Sequence, residues 1–158
     1  MQEHLPSIVA VAIVGAGVVT GLLFAFSNFV LGALAEMPAR HGMFAMQRIN
    51  ERILNPVFFG FFFGTPLLCL AIAVMAAREV AADGSALLIA GALAYLAGPL
   101  AITMLRNVPL NDRLARTPEA SAEIAWPSYR RDWQRWNHAR TWIGILATLL
   151  LAAGLAAR

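Results

Sequence analysis

Residues 5–35 read LPSIVAVAIVGAGVVTGLLFAFSNFVLGALA, 31 positions without one formal charge. A soluble domain carries about 25% charged residues. A charge-free run of this length predicts a helix that crosses a bilayer, which needs about 20 apolar residues. Three more runs of the same kind follow, at 57–77, 86–105 and 141–157. The chain is 59% apolar and 13% charged. These observations predict an all-α integral membrane protein, an antiparallel four-helix bundle, with residues 1–158 forming a single four-span domain. The first run is read as a retained helix rather than a signal peptide. Its MQEH start lacks a basic region, and its apolar stretch exceeds the roughly 7–15 residues of a signal core.

Working outward from the spans, the charges are lopsided. All 12 basic residues are arginine, and the pI is near 10. Three of them fall at 36–55 and seven at 106–140, leaving Arg78 and Arg158 for the other side. Ten against two follows the positive-inside pattern. It predicts a bacterial cytoplasmic membrane with both termini outside and the two arginine-rich loops in the cytoplasm. Arginine confined to span edges also argues against a nucleic-acid partner; the expected contacts are membrane lipid and a lipophilic small molecule. Cys69 lies alone in mid-span, so it forms no internal disulfide and is read as apolar filler.

Small residues and prolines suggest how the spans pack. Gly17-Val-Val-Thr-Gly21 and Gly60-Phe-Phe-Phe-Gly64 have the spacing that lets membrane helices approach closely. They are expected to support a tight bundle, and exposed faces of this kind permit a homo-oligomer. Pro56, Pro66 and Gly98-Pro99 mark irregular places, with Thr65 and Thr103 as local donors for freed carbonyls. Residues 42–55 read as an interfacial extension of the second helix. Pro118 and Pro127 are expected to break the long polar stretch before a helix restarts toward the fourth span.

Polar side chains gather at one end. Thr103, Arg106, Asn107, Leu110 and Asn111 share one helix face if Pro109 is tolerated. Trp133, Trp136, Asn137, Arg140, Thr141 and Gly144 share another. In an antiparallel bundle both faces lie at the same depth. Ser27, Asn28, Glu36, Gln47, Asn50 and Asn55 approach the same rim. Interfacial anchoring accounts for Trp126, Tyr129, Arg130, Arg131 and Arg135. Amides and arginines that face other helices pair or line a cavity. For Arg106 and Arg140 two readings stand: pairing with Asp112, Asp132 or Glu36, or a ligand role.

His138 sits at the mouth of the fourth span, about 100° around the helix from Asn137. It is a flank of the polar face, either bonded to a carbonyl or serving as a base. No metal is expected, for the sequence has no H-E-x-x-H, no cysteine cluster and no histidine pair one turn apart. Haem ligation lacks a mid-span histidine. GAGVVTG lies inside an apolar span rather than after a strand, so it is no nucleotide fingerprint.

Four blocks together resemble the anthrone oxygenase-like family of small four-span membrane proteins: FSNFVLGALAEMP, MQRINERILNPVFFGFFFGTP, RNVPLNDRLA and WQRWNHARTW. The resemblance covers nearly the whole chain, and the Asn-Val-Pro-Leu-Asn and Trp-x-x-Trp-Asn-His-x-Arg blocks are its specific parts. It implies oxidation of an anthrone to an anthraquinone with molecular oxygen, as in fungal members of polyketide biosynthesis, without metal, flavin or other cofactor. Asn107, Asn111, Trp133, Trp136, His138 and Arg140 are the matching positions.

On that resemblance His138 is expected to be the base. Arg140 or Arg106, with Asn107 or Asn137, would hold the developing oxyanion. Trp133, Trp136 and Phe24 or Phe58 would wall an apolar slot, with Asn111 and Asn50 on its polar side. The alternative is a non-catalytic lipophile-binding or helper subunit. A transporter is the weaker third reading, because no acid sits in mid-membrane.

Overall fold

The computed structural model of the chain describes residues 2–158; Met1, the first residue of the MQEH start, lies outside them. The described residues form five helices: α1 (Leu5–Ala35), α2 (Ala39–Arg52), α3 (Pro56–Ala77), α4 (Ser85–Ala115) and α5 (Glu119–Ala156). All but α2 are long and apolar enough to span a membrane. They run up and down around a ring in the order α1, α3, α4, α5, as expected of an antiparallel bundle.

At about 1.5 Å per residue, α1 and α4 are each roughly 46 Å long, well beyond a hydrocarbon core of about 30 Å. The 22 residues of α3 only just span it. The surplus of α1, α4 and α5 therefore projects at one end, where α2 packs across it. The other end is tight. A short turn there ends at Gly84, whose φ of 76° suits a residue without a side chain. Arg158 donates to Ser85 Oγ at 2.8 Å and lies 3.6 Å from Glu79 on that side.

Three apolar cores fill the protein, the smallest of them formed by Val19, Leu23 and Phe62. Within the spans, Leu5, Val9, Ala12 and Ala16 of α1 repeat at helical spacing and meet Cys69, Ile72, Leu88, Tyr95, Ala147 and Leu151. Beneath α2, Met43, Met46, Leu31, Leu114, Trp126, Tyr129 and Trp133 make a second core. Gly42 lets α2 settle there, since a Cβ on it would strike the Leu34 carbonyl and the Trp126 ring.

Several local expectations are corrected. Residues 42–55 do not extend the second helix: α2 ends at Arg52, and the Asn55 side chain accepts the Phe58 N–H at 3.0 Å to cap a separate helix that begins at Pro56. Pro127 does not break the last helix, which runs unbroken from Ala122 to Ala156; Pro109 is likewise tolerated, at the start of the last stretch of α4. The close helix contacts are not at Gly17, Gly21, Gly60 or Gly64, which open onto empty space outside the bundle. They include Gly15, where a Cβ would meet the Thr65 side chain, Gly91, where it would meet the Leu151 backbone, and Gly144, where it would meet Thr20 and Pro99.

Candidate functional site

Two helices change their winding where the polar residues gather. At Phe26–Val30 in α1 and Leu96–Asn107 in α4 the backbone is wound as a π-helix. Such segments interrupt the ordinary ladder and often mark functional places. Pro99 lies inside the second; it has no N–H, and Thr103 Oγ1 donates back to its carbonyl. In α1 the carbonyls of Leu23 and Ser27 accept side-chain bonds from α5, from Asn137 at 2.9 Å and Gln134 at 3.2 Å.

Arg140 occupies the middle of this region and is only 5% exposed. Its Nη1 donates to Thr103 Oγ1 at 2.9 Å and its Nη2 to Asn137 Oδ1 at 2.7 Å. Its guanidinium carbon lies 5.2 Å from the Trp133 ring centre, over the ring. Its Nε has no partner among the described residues. Among the described residues no carboxylate oxygen lies within 4 Å of it. Of the two readings of Arg140, the pairing with Asp112, Asp132 or Glu36 is thus absent among the described residues, and Asp132 instead meets Arg131 at 3.2 Å. A buried cation with no anion beside it is expensive unless something neutralises it.

Asn137 holds this centre to α1. Its Nδ2 donates to the Leu23 carbonyl and, at 2.7 Å, to Ser27 Oγ. Ser27 Oγ lies 3.0 Å from Thr141 Oγ1, which donates to the Asn137 carbonyl at 2.9 Å. Toward α2 the strip continues. Asn111 Oδ1 accepts both Trp133 Nε1 and Tyr129 OH, each at 2.9 Å. Asn50 Nδ2 reaches the same phenol oxygen at 3.5 Å. Asn107 Nδ2 donates to the Trp133 carbonyl at 3.3 Å, while its buried Oδ1 has no partner. Among the described residues Arg140 Nε, Asn107 Oδ1 and Gln134 Oε1 are therefore buried polar atoms left without a partner in this region. The second span supplies the apolar flank: Phe58 stacks on Phe62, which packs with Leu23 and Leu100.

Six of the residues singled out from sequence meet in this strip: Arg140, Asn137, Asn107, Asn111, Trp133 and Asn50. Three do not. The His138 imidazole is exposed and lies 3.2 Å from Gln134 Nε2, outside the cluster. Arg106 and Trp136 turn away to an outer groove, the guanidinium 4.8 Å above the indole. Phe24 is 47% exposed on the outer face of α1 and walls nothing here.

Trp126 and Tyr129 are not interfacial anchors; they are 2% and 7% exposed and stacked on one another. The role of Tyr129 was missed. Its spacing of four from Trp133 and eight from Asn137 puts it on the polar face and was the available signal.

Residues 58–150 match the family described as anthrone oxygenase. That is more than half of the 158 residues, and it includes Asn107, Asn111, Trp133, Asn137 and Arg140. Ser27 and Asn50 lie before it. No curated protein and no solved structure matches the chain.

Proposed function

We propose a function from a plain premise: the chain belongs to the anthrone oxygenase family. The reading is a membrane-embedded oxygenase for a flat, lipophilic aromatic ketone of the anthrone type. Loss of a benzylic proton turns such a ketone into an anion whose charge rests largely on oxygen. That anion gives an electron to molecular oxygen. The resulting radicals join through a new C–O bond to give a peroxide anion, which takes back a proton equivalent to the one first lost and becomes a hydroperoxide. Cleavage of the O–O bond, with loss of the remaining C–H proton, leaves the new carbonyl and releases water. One oxygen atom ends in the product and the other in water. The reading needs no metal or flavin, because the anion itself reduces oxygen.

The observation that carries it is Arg140, a buried guanidinium with no carboxylate beside it and with an unused Nε. An anion brought against it supplies the missing charge, and the low dielectric strengthens the contact. Asn107, through its free Oδ1, is assigned the hydroxyl of an aromatic ring that carries the ketone. Trp133, whose ring the guanidinium overlies, is assigned the aromatic wall of the site. His138 stands outside the cluster; this reading gives it proton exchange at the mouth rather than contact with the held anion.

The test is oxygen uptake by the purified protein with emodin anthrone. The wild type should exceed the uncatalysed rate, and Arg140→Met should lose it. Uptake equal to background in both would leave a second reading, a non-catalytic lipophile-binding or helper subunit. What favours that second reading is that Asn137, Ser27 and Thr141 already satisfy one another without a ligand. In either case the arginine-rich loops are proposed to face the cytoplasm and both termini the outside.

A further inference from the structure

A second charged feature lies on the outer side of the bundle. Between α4 and α5 runs a groove of about 350 Å³, lined by Arg106, Arg113, Arg135, Asp132, Trp136 and neighbouring apolar residues. All three arginines are exposed. Among the described residues none of the three has a carboxylate oxygen within 4 Å. Asp132, the one acid in the groove, already pairs with Arg131. The groove therefore holds a positive charge that the chain does not neutralise. Arg106 is held in place over the Trp136 ring at 4.8 Å.

The position of the groove points to its occupant. It opens sideways between two membrane spans, at the end where they leave the bilayer. Toward the membrane the surface becomes apolar: Leu105, in the groove lining, is 70% exposed, and Trp142, beyond the groove and two turns from Arg135 on the same face of α5, is 66% exposed. A ligand that fits must be an anion at one end and a hydrocarbon at the other. Guanidinium groups match phosphate oxygens in shape as well as charge, and basic pockets between spans hold anionic lipid head groups.

We propose that this groove is a binding site for one anionic phospholipid, its phosphate among Arg106, Arg113 and Arg135 and an acyl chain along Leu105 and Trp142. The site is separate from the Arg140 strip and does not depend on what that strip does.

The test uses the whole protein in a non-ionic detergent, offered equal amounts of phosphatidylglycerol and phosphatidylcholine. The lipid that stays bound is weighed by native mass spectrometry. Each arginine beside an anionic lipid favours it roughly fivefold, so three give roughly a hundredfold preference at most. The wild type should retain one phosphatidylglycerol over phosphatidylcholine by about tenfold or more.

The triple variant Arg106→Gln, Arg113→Gln, Arg135→Gln should lose that preference with its helix content unchanged. A control, Arg40→Gln, Arg48→Gln, Arg52→Gln, removes the same charge from the same end and should keep it. Preference retained by the triple variant, or lost equally in the control, overturns the proposal. Excess inorganic phosphate on the wild type distinguishes the other source of the same chemistry. Lipid that stays bound supports the claim, and lipid displaced by phosphate makes the groove a free-anion site and overturns it.

Discussion

Replacing Arg140 by methionine should separate activity from folding. The side chain is 5% exposed and donates two hydrogen bonds, to Thr103 and Asn137. Removing it orphans two acceptors, at a cost of about 1–3 kcal/mol each. It also removes a buried, unneutralised cation, whose desolvation costs several kcal/mol. These terms oppose one another, so the net change in stability should be small, within about 2 kcal/mol.

Activity has no such compensation. Loss of one donor aimed at a developing oxyanion lowers turnover about 10²–10³-fold. Methionine fills much of the same volume, so Trp133 and Thr103 keep their neighbours. The assay is oxygen uptake with emodin anthrone beside thermal unfolding in detergent. Uptake within threefold of wild type, with unfolding unchanged, would refute the reasoning, since the cation would then have no part in the reaction.

Other expectations follow from the same geometry. Asn111→Leu leaves two buried donors, Tyr129 OH and Trp133 Nε1, without their acceptor, and should destabilise by about 2–5 kcal/mol, read as a lower unfolding midpoint. An unchanged midpoint would mean those bonds contribute nothing. His138→Ala should lower turnover less than tenfold, against the roughly 10²–10⁴-fold expected of a general base in contact with substrate; a loss at the upper end would put the imidazole on the reacting atoms.

Gly91→Ala drives a methyl group to 2.9 Å from the Leu151 backbone nitrogen and should cost about 1–3 kcal/mol, while Gly60→Ala, facing open space, should change stability by less than about 0.5 kcal/mol. The topology can be read by thiol labelling. Cys69 is buried and should stay silent, Arg48→Cys should be protected from an impermeant reagent in right-side-out vesicles, and Asp83→Cys should react.

Much of this architecture was visible in the sequence for one reason. A charge-free stretch as long as residues 5–35 has few physical alternatives to a membrane span, and four of them in a short chain leave little but a bundle. The polar strip was visible as well, because Asn107 and Asn111, like Asn137 and Arg140, recur at a helix turn and face inward together.

What failed were cases where a small rotation or a tertiary contact decides. His138 follows Asn137 directly, and that single step carries its ring out of the cluster. Arg106 precedes Asn107 in the same way. Arg106 was drawn into the site by its helical spacing from Thr103, and His138, already a flank of the polar face, by the family resemblance. Trp126 and Tyr129 looked like membrane anchors because their type suits an interface; the packing of α2 over them, through Gly42, is not a local property. Gly17, Gly21, Gly60 and Gly64 have the spacing for close helix contact, but spacing does not say which way a helix face points. The π-wound segments have no reliable local signature beyond Pro99, so the bonds from Asn137 and Gln134 to α1 carbonyls were not foreseen.

The central claim is that an unneutralised guanidinium inside the bundle holds the conjugate anion of a lipophilic ketone. It is tested most directly without oxygen, so that the reaction stops at the bound state. Under argon, emodin anthrone is mixed with the protein at a pH where the free ketone keeps its proton, and the absorption spectrum is recorded. The account predicts that the band of the anion appears with the wild type and is missing with Arg140→Met. A spectrum of the neutral ketone with both proteins, or of the anion with both, would contradict it.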